Sequence, residues 1–274
     1  MQLNKDEKSY INIIEKKLKI EVKTIKKINK GTLSKVFLLN EKYILKIADF
    51  IFIKREIIYF KNNKSDYNEK LIYKDYKNRF IVYKYIKGNE IKELTKESAD
   101  SNLEIIINMT KNYKKTYRKK FGYIYEGYNS WYDFLESEIE FNHDYLPEEF
   151  KKTQEVKVYK ALENIKNAKI DVRYIHGDLG VHNIIFNDQK IKGIIDPTTM
   201  IGDYRYDIIY FIFSSSKIEK HINYRNLVNL LGKDVINLIV ILLYSRISKL
   251  YKYSSNDDEK KYFESLWYKL KGDI

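Results

Sequence analysis

The 274-residue chain has no cysteine, which excludes a disulfide framework, a thiol nucleophile and any thiolate-bound metal. It has only two prolines, Pro147 and Pro197, and no low-complexity stretch, so nothing reads as a Pro-rich linker. The four histidines, His143, His176, His182 and His221, include no pair at the spacing of a helical zinc motif. No apolar run approaches the ~20 residues of a membrane span. The longest, Val235 to Tyr244, is interrupted by Asn237. The first residues, Met-Gln-Leu-Asn-Lys-Asp-Glu-Lys, lack the apolar core of a signal peptide. A globular protein of the cytoplasm, with no membrane partner, is the expectation.

What is present is enough to build a core: hydrophobic residues make up 44% and aromatic residues 15% of the chain. The formal net charge of +13 raises the question of nucleic acid. Only seven of the 51 basic residues are arginine, the better fork for phosphates and base edges, and the lysines are scattered among Ile, Asn and Tyr. Those four residue types share A/T-rich codons, so genome composition accounts for the excess and no nucleic-acid partner is expected.

Apolar residues Leu3, Tyr10, Ile13, Ile14 and Leu18 fall near helical spacing and predict an amphipathic helix over 3–19. Short β-rich runs follow at Val22–Ile28, Lys35–Leu39 and Tyr43–Ile47, then a helix after Asp49, then two more strands at Lys70–Tyr73 and Arg79–Ile86. Beyond Lys87-Gly88-Asn89 the pattern is helical, apart from a β-rich patch between Arg173 and Asp196. The fold class this implies is α+β in two lobes: residues 1–86, sheet-rich and antiparallel, and residues 87–274, larger and mainly helical.

The chemistry concentrates in Tyr174-Ile175-His176-Gly177-Asp178-Leu179-Gly180-Val181-His182-Asn183-Ile184-Ile185-Phe186, followed by Gly193-Ile194-Ile195-Asp196-Pro197. An Asp and an Asn five residues apart share one tight loop, and a second strand delivers another carboxylate beside them. Hard oxygens on adjacent loops suit Mg²⁺, which completes its shell with water and substrate phosphates. A neighbouring carboxylate can then orient a hydroxyl for phosphoryl transfer.

The H-G-D-x-x-x-x-N run with the following I-I-D resembles the aminoglycoside phosphotransferase and choline kinase group of small-molecule kinases, distant relatives of protein kinases. The resemblance implies a protein-kinase-like fold with the nucleotide held by the first lobe and the acceptor by the second. It implies Asp178 as catalytic base, Asn183 and Asp196 as magnesium ligands, and His176 as a structural residue. His182 falls at a variable position. Lys46, in the apolar strand Tyr43–Ile47, is similar to the family's phosphate-gripping lysine, with Glu56 as its partner. Gly31 and Ser34 would approach the nucleotide phosphates, and the backbone of Lys84 and Ile86 the base edge. Asp203 reads as a helix N-cap, and Asp207 resembles the residue that anchors the catalytic loop from behind. Pro197 departs from the protein-kinase D-F-G pattern.

One window bears on the acceptor. Trp131 to Phe150 holds Asp133, Glu136, Glu138, Glu140, Asp144, Glu148 and Glu149 with no Lys or Arg. Glu136 and Glu140 share a helical face with Asp133 one turn earlier, and such carboxylates would draw in a cationic acceptor. The expectation is thus a Mg²⁺-dependent kinase using ATP or GTP on a small cationic acceptor, an aminoglycoside-type antibiotic first, with choline, methylthioribose or a fructosamine as alternatives. A non-catalytic nucleotide-binding protein is the reading from another class. Oligomeric state is not encoded in any pattern here. Because the charge is read as compositional, a duplex DNA titration is expected to show no steeply salt-dependent binding; a steep slope of affinity against salt would restore a nucleic-acid partner.

Overall fold

A computed structural model describes residues 5–28, 34–77 and 79–273. After α1 (Lys5–Leu18) come β1 (Ile25–Ile28), β2 (Ser34–Leu39), β3 (Tyr43–Ala48), α2 (Phe50–Asn62), β4 (Leu71–Asp75) and β5 (Phe80–Lys84). The five strands form one antiparallel sheet in the order β1-β2-β3-β5-β4. Period-two alternation gives this sheet two apolar faces. Leu45, Phe80 and Val82 pack with Phe37 and Leu39 against Ile11 and Ile14 of α1. Ala48, Ile81 and Tyr83 pack against Ile53 and Ile57 of α2. Lys46 lies an even step from Ile44 and Ala48, so the same alternation turns it toward α2.

Several strand ends differ from expectation; β4 runs to Asp75, and β1 and β5 are shortened for local reasons. The amide of Val22 bonds the Glu15 carboxylate at 2.8 Å, and those of Lys23 and Thr24 bond the Asn40 side chain at 2.8 and 3.0 Å. Side chains take up these donors, so laddering starts only at Ile25. At the other end, Arg79 takes a positive φ of 57° and the Tyr85 amide reaches back to the Lys42 carbonyl at 2.8 Å, which shortens β5 to five residues.

The remainder is helical around two small β elements. It comprises α3 (Lys96–Lys111), β6 (Gly122–Tyr123), α4 (Trp131–His143), α5 (Glu148–Lys166), β7 (Val172–Ile175), β8 (Ile184–Asn187), β9 (Lys190–Ile194) and β10 (Met200–Asp203). It ends with α6 (Arg205–Phe213), α7 (Ser216–Glu219), α8 (Tyr224–Leu231), α9 (Val235–Tyr253) and α10 (Asp257–Asp273). Strands β6, β10 and β7 form a three-stranded sheet, and β8 and β9 a hairpin. Helix α9 packs against α4, α5, α6 and α10 and supplies much of the large core, which accounts for its apolar composition. No described helix is long and apolar enough to cross a membrane.

The connector after β5 pairs with this part of the chain. Asn89 and Phe186 exchange backbone hydrogen bonds at 2.8 and 2.9 Å, and a Cβ on Gly88 would fall 2.4 Å from the Phe186 carbonyl. A second tie is Asn63, the C-cap of α2. Its Nδ2 donates to the Tyr174 carbonyl at 2.8 Å, and its Oδ1 accepts from the Lys114 amide at 2.9 Å. Replacing Asn63 by Ala strands both backbone partners, so denaturant unfolding is expected to register a loss of about 2–3 kcal/mol.

Candidate active site

Strand β7 runs into Gly177, whose φ of +82° favours glycine, and a Cβ there would also meet the Met200 sulfur at 2.6 Å. This turn is fixed from behind by Asp207 on α6, whose two oxygens accept the amides of His176 at 2.7 Å and Gly177 at 3.0 Å. Burial pushes the Asp207 carboxyl up to about 7 against the lowering effect of these amides. His176 is fully buried, and burial pulls its ring down to about 4, so it is neutral. Its Nδ1 accepts from the Asp178 amide at 3.3 Å, which leaves Nε2–H to donate to the Ile195 carbonyl at 3.1 Å. The amides of Thr198 and Thr199 both reach the His176 carbonyl, at 3.0 and 3.1 Å. The loop after β7 and the segment after β9 are thereby one hydrogen-bonded unit.

On this unit the Asp178 carboxylate has three partners. Asn183 Nδ2 donates to its Oδ2 and to its backbone carbonyl, both at 2.9 Å. Tyr210 of α6 donates to Oδ1 at 2.8 Å, and His182 Nε2 lies 3.2 Å from Oδ2. Burial pushes the Asp178 carboxyl up, but the His182 and Tyr210 hydrogen bonds outweigh it and hold the group below the usual carboxylate range. The partner histidine is raised, first by its hydrogen bond to Asp178.

Asp196 follows β9 at φ +59° and stands opposite. Its carboxylate bonds Lys46 Nζ, which also bonds Glu56 of α2. Burial pulls the Lys46 ammonium down, but the two carboxylates outweigh it and raise it, so it stays charged. Glu56 is raised by burial despite Lys46, and Tyr83 of β5 donates to its other oxygen at 2.5 Å. Lys46, Glu56, Asp178 and Asp196 line one cavity of about 220 Å³, together with Ser34, Arg55 and Thr198.

The chain thus brings Ser34, Lys46, Glu56, Asp178 and Asp196 together, with Asn183 one hydrogen bond from Asp178. Gly31 lies outside the described residues. The Lys84 amide is taken up by the Lys70 carbonyl at 2.9 Å, and the Ile86 side chain packs over Gly193 of β9. Asn183, with its amide nitrogen committed to Asp178, keeps an oxygen to offer, and Asp196 supplies a half-exposed carboxylate. No group of three or more His, Cys, Asp or Glu forms a protein cage among the described residues. Two hard oxygens without a cage fit Mg²⁺, which is held by few side chains and by substrate phosphates.

The acidic window is not part of this constellation. Asp133 is used in the N-terminal capping box of α4 with Ser130. Glu136 accepts from Tyr132 at 2.7 Å, and both Glu136 and Glu140 act electrostatically on Tyr159 of α5. None of the three lines the cavity that holds Asp178. The carboxylate of α4 that turns inward is Glu138, paired at 3.3 Å with Lys249 of α9. Asp203, read as a helix cap, closes β10; it accepts the Arg205 amide at 3.0 Å and grips the Arg205 guanidinium. Tyr210, Tyr83 and Arg55 were not singled out from sequence. Among 26 tyrosines, only the helical step from Asp207 to Tyr210 sets the first apart.

The description of the phosphotransferase enzyme family matches residues 24–225. A search of curated proteins finds no match. Among solved structures, ADP-bound aminoglycoside phosphotransferase APH(2'')-Ib is 20% identical with a TM-score of 0.55, over 95% of this chain and 96% of that one. The gentamicin complex of APH(2'')-IIa is 20% identical with a TM-score of 0.60, over 96% of each chain. A thermostable mutant of APH(4)-Ia with ADP and hygromycin B is 14% identical with a TM-score of 0.60, over 94% of this chain and 96% of that one. At these identities the structures speak for the fold, which is kinase-like with a small antiparallel sheet lobe and a larger helical part. The family match spans the sheet, both loops of the cavity and α6, and so the chain belongs to the phosphotransferase enzyme family and is a kinase-like transferase.

Proposed function

We propose that this enzyme transfers the γ-phosphoryl group of ATP to a hydroxyl of a polyhydroxylated small molecule, with residues 1–86 holding the nucleotide and residues 87–274 the acceptor. The observation that carries the reading is the Asp178 carboxylate, ionised, gripped on three sides, and sharing a cavity with Lys46 and Asp196. ATP is preferred over GTP as donor because relatives of the same fold carry its product ADP. ATP as donor also goes with a cytoplasmic site of action.

In this mechanism Lys46 pairs with the nucleotide phosphates and is kept in place by Glu56, itself fixed by Tyr83. Ser34 lines the same cavity at the start of β2, and Gly31 is proposed with it as a nucleotide-phosphate contact. Asn183 and Asp196 would hold Mg²⁺. When bound, the ion neutralises charge on the phosphates and aligns them with the acceptor. Asp178 accepts the acceptor's hydroxyl hydrogen bond and takes its proton as the oxygen bonds to the γ-phosphorus and the bond to the β–γ bridging oxygen breaks. Tyr210 and Asn183 fix the carboxylate for that task, and neutral His176 holds the loop without taking part. The backbone of Lys84 and Ile86 would meet the adenine edge.

The fold neighbours are seen with gentamicin and hygromycin B, so an aminoglycoside-type acceptor, and antibiotic resistance with it, is the relatives' contribution to this reading. Asp133, Glu136 and Glu140 lie outside the lining of the cavity shared by Lys46 and Asp178.

Replacing Asp178 by Asn is expected to lower turnover at least ~100-fold while ATP affinity is kept, as measured by phosphate transfer and by nucleotide titration. Near-normal turnover would remove Asp178 as the base. Replacing Lys46 by Met is expected instead to weaken the productive hold on ATP and to lower kcat/KM for ATP, and equal kinetics in wild type and variant would remove Lys46 from the phosphate site.

A further inference from the structure

Asp178 stands between two cavities. The first is the one it shares with Lys46 and Asp196; the second, of about 50 Å³, is lined by its own two partners His182 and Tyr210 and by Ser245, Arg246 and Lys249 of α9. No carboxylate lines the second cavity. Its charged groups are cationic, its hydroxyls can donate, and some of these donors have spare capacity. Ser245 is 4% exposed, and its hydroxyl makes no hydrogen bond among the described residues. The Nε of Arg246 is buried without a partner. A buried donor left without an acceptor is rare in folded proteins and marks a place where a ligand or water completes the structure. The charges are met by long ion pairs, Arg246 to Glu259 at 3.4 Å and Lys249 to Glu138 at 3.3 Å, and by the rings of Phe263 and Tyr210.

We propose that this cavity is the acceptor's second anchor, and that the acceptor is a polyhydroxylated acid. One hydroxyl lies against Asp178, and a carboxylate, or a phosphate in its place, lies against Ser245, Arg246 and Lys249. The volume admits a group of a few heavy atoms and not a ring. An ammonium in this position would face two cations with no carboxylate to pair with it. The anchor residues sit on α9, beyond residue 225 where the family match ends. The inference rests on the phosphotransferase reading, because it takes Asp178 as the group that meets the acceptor hydroxyl.

The test compares gluconate, glucose 6-phosphate, glucose and glucosamine on the full chain. Binding is measured by calorimetry with Mg²⁺ and a non-hydrolysable ATP analogue, and transfer by mass spectrometry with ATP. Gluconate or glucose 6-phosphate is expected to bind about tenfold tighter than glucosamine, and Lys249→Glu to reverse that order with KM for ATP unchanged. Whichever of the two anions binds more tightly identifies the anchored group. Lys249→Gln, a milder change at the same position, is expected to erase the preference without reversing it. Tighter binding of glucosamine, equal binding of all four, no binding of any, or a preference untouched by both variants would overturn the proposal. Anion-selective binding without transfer would leave this subsite standing and count against the phosphotransferase reading. Transfer to glucosamine alone would do the reverse.

Discussion

A single buried ammonium organises this molecule. Lys46 sits in the third strand of the sheet, and its charge is met by Glu56 from the helix behind the sheet and by Asp196 from the helical part of the chain. Burying such a charge is tolerable only where carboxylates surround it with good geometry. Sheet, helix α2 and the segment after β9 must therefore converge on one point. The strand alternation that aims Lys46, the helical step from Ile53 to Glu56, and the hydrogen bonds that tie Thr198 and Thr199 to His176 all serve that convergence. An ion pair that crosses between sheet and helical lobe in this way also fixes the distance between Lys46 and Asp178, and with it the shape of the cavity.

Much of this was legible in the residues. The order of elements follows from periodicity, because the sheet alternates between two apolar faces and the helices carry their stripes on one side. The run from Tyr174 to Asp196 announces its loop because a glycine with positive φ, an Asp and an Asn at fixed steps have few other uses together. Strand ends were less legible. Val22 to Thr24 have the composition of a strand, yet Glu15 and Asn40, distant in sequence, claim their amides.

The acidic window shows that a charge pattern in sequence does not say which face of a helix turns inward. Seven carboxylates without a lysine drew attention to one face of α4, but a helix has several faces and only packing decides which one turns inward. Asp133 is consumed by its own helix, Glu136 and Glu140 lie toward α5, and the inward Glu138 is already paired with a lysine more than a hundred residues away. Of the side chains bonded to Asp178, Asn183 and His182 share its loop, while Tyr210 is one tyrosine among 26 and reaches it from α6. That neighbourhood exists only after α6 has packed behind the loop.

Helix α2 is fastened at its middle and at its C-terminal end. Arg55 reaches the Ile124 carbonyl and Glu126 near β6, Thr199 donates to the Arg55 carbonyl, and Asn63 closes the far end against Tyr174 and Lys114. In enzymes that are turned on and off, a helix in this position is the part that swings. Here its middle and its C-terminal end are both tied to the helical part of the chain, so the pairing of Glu56 with Lys46 is built into the fold.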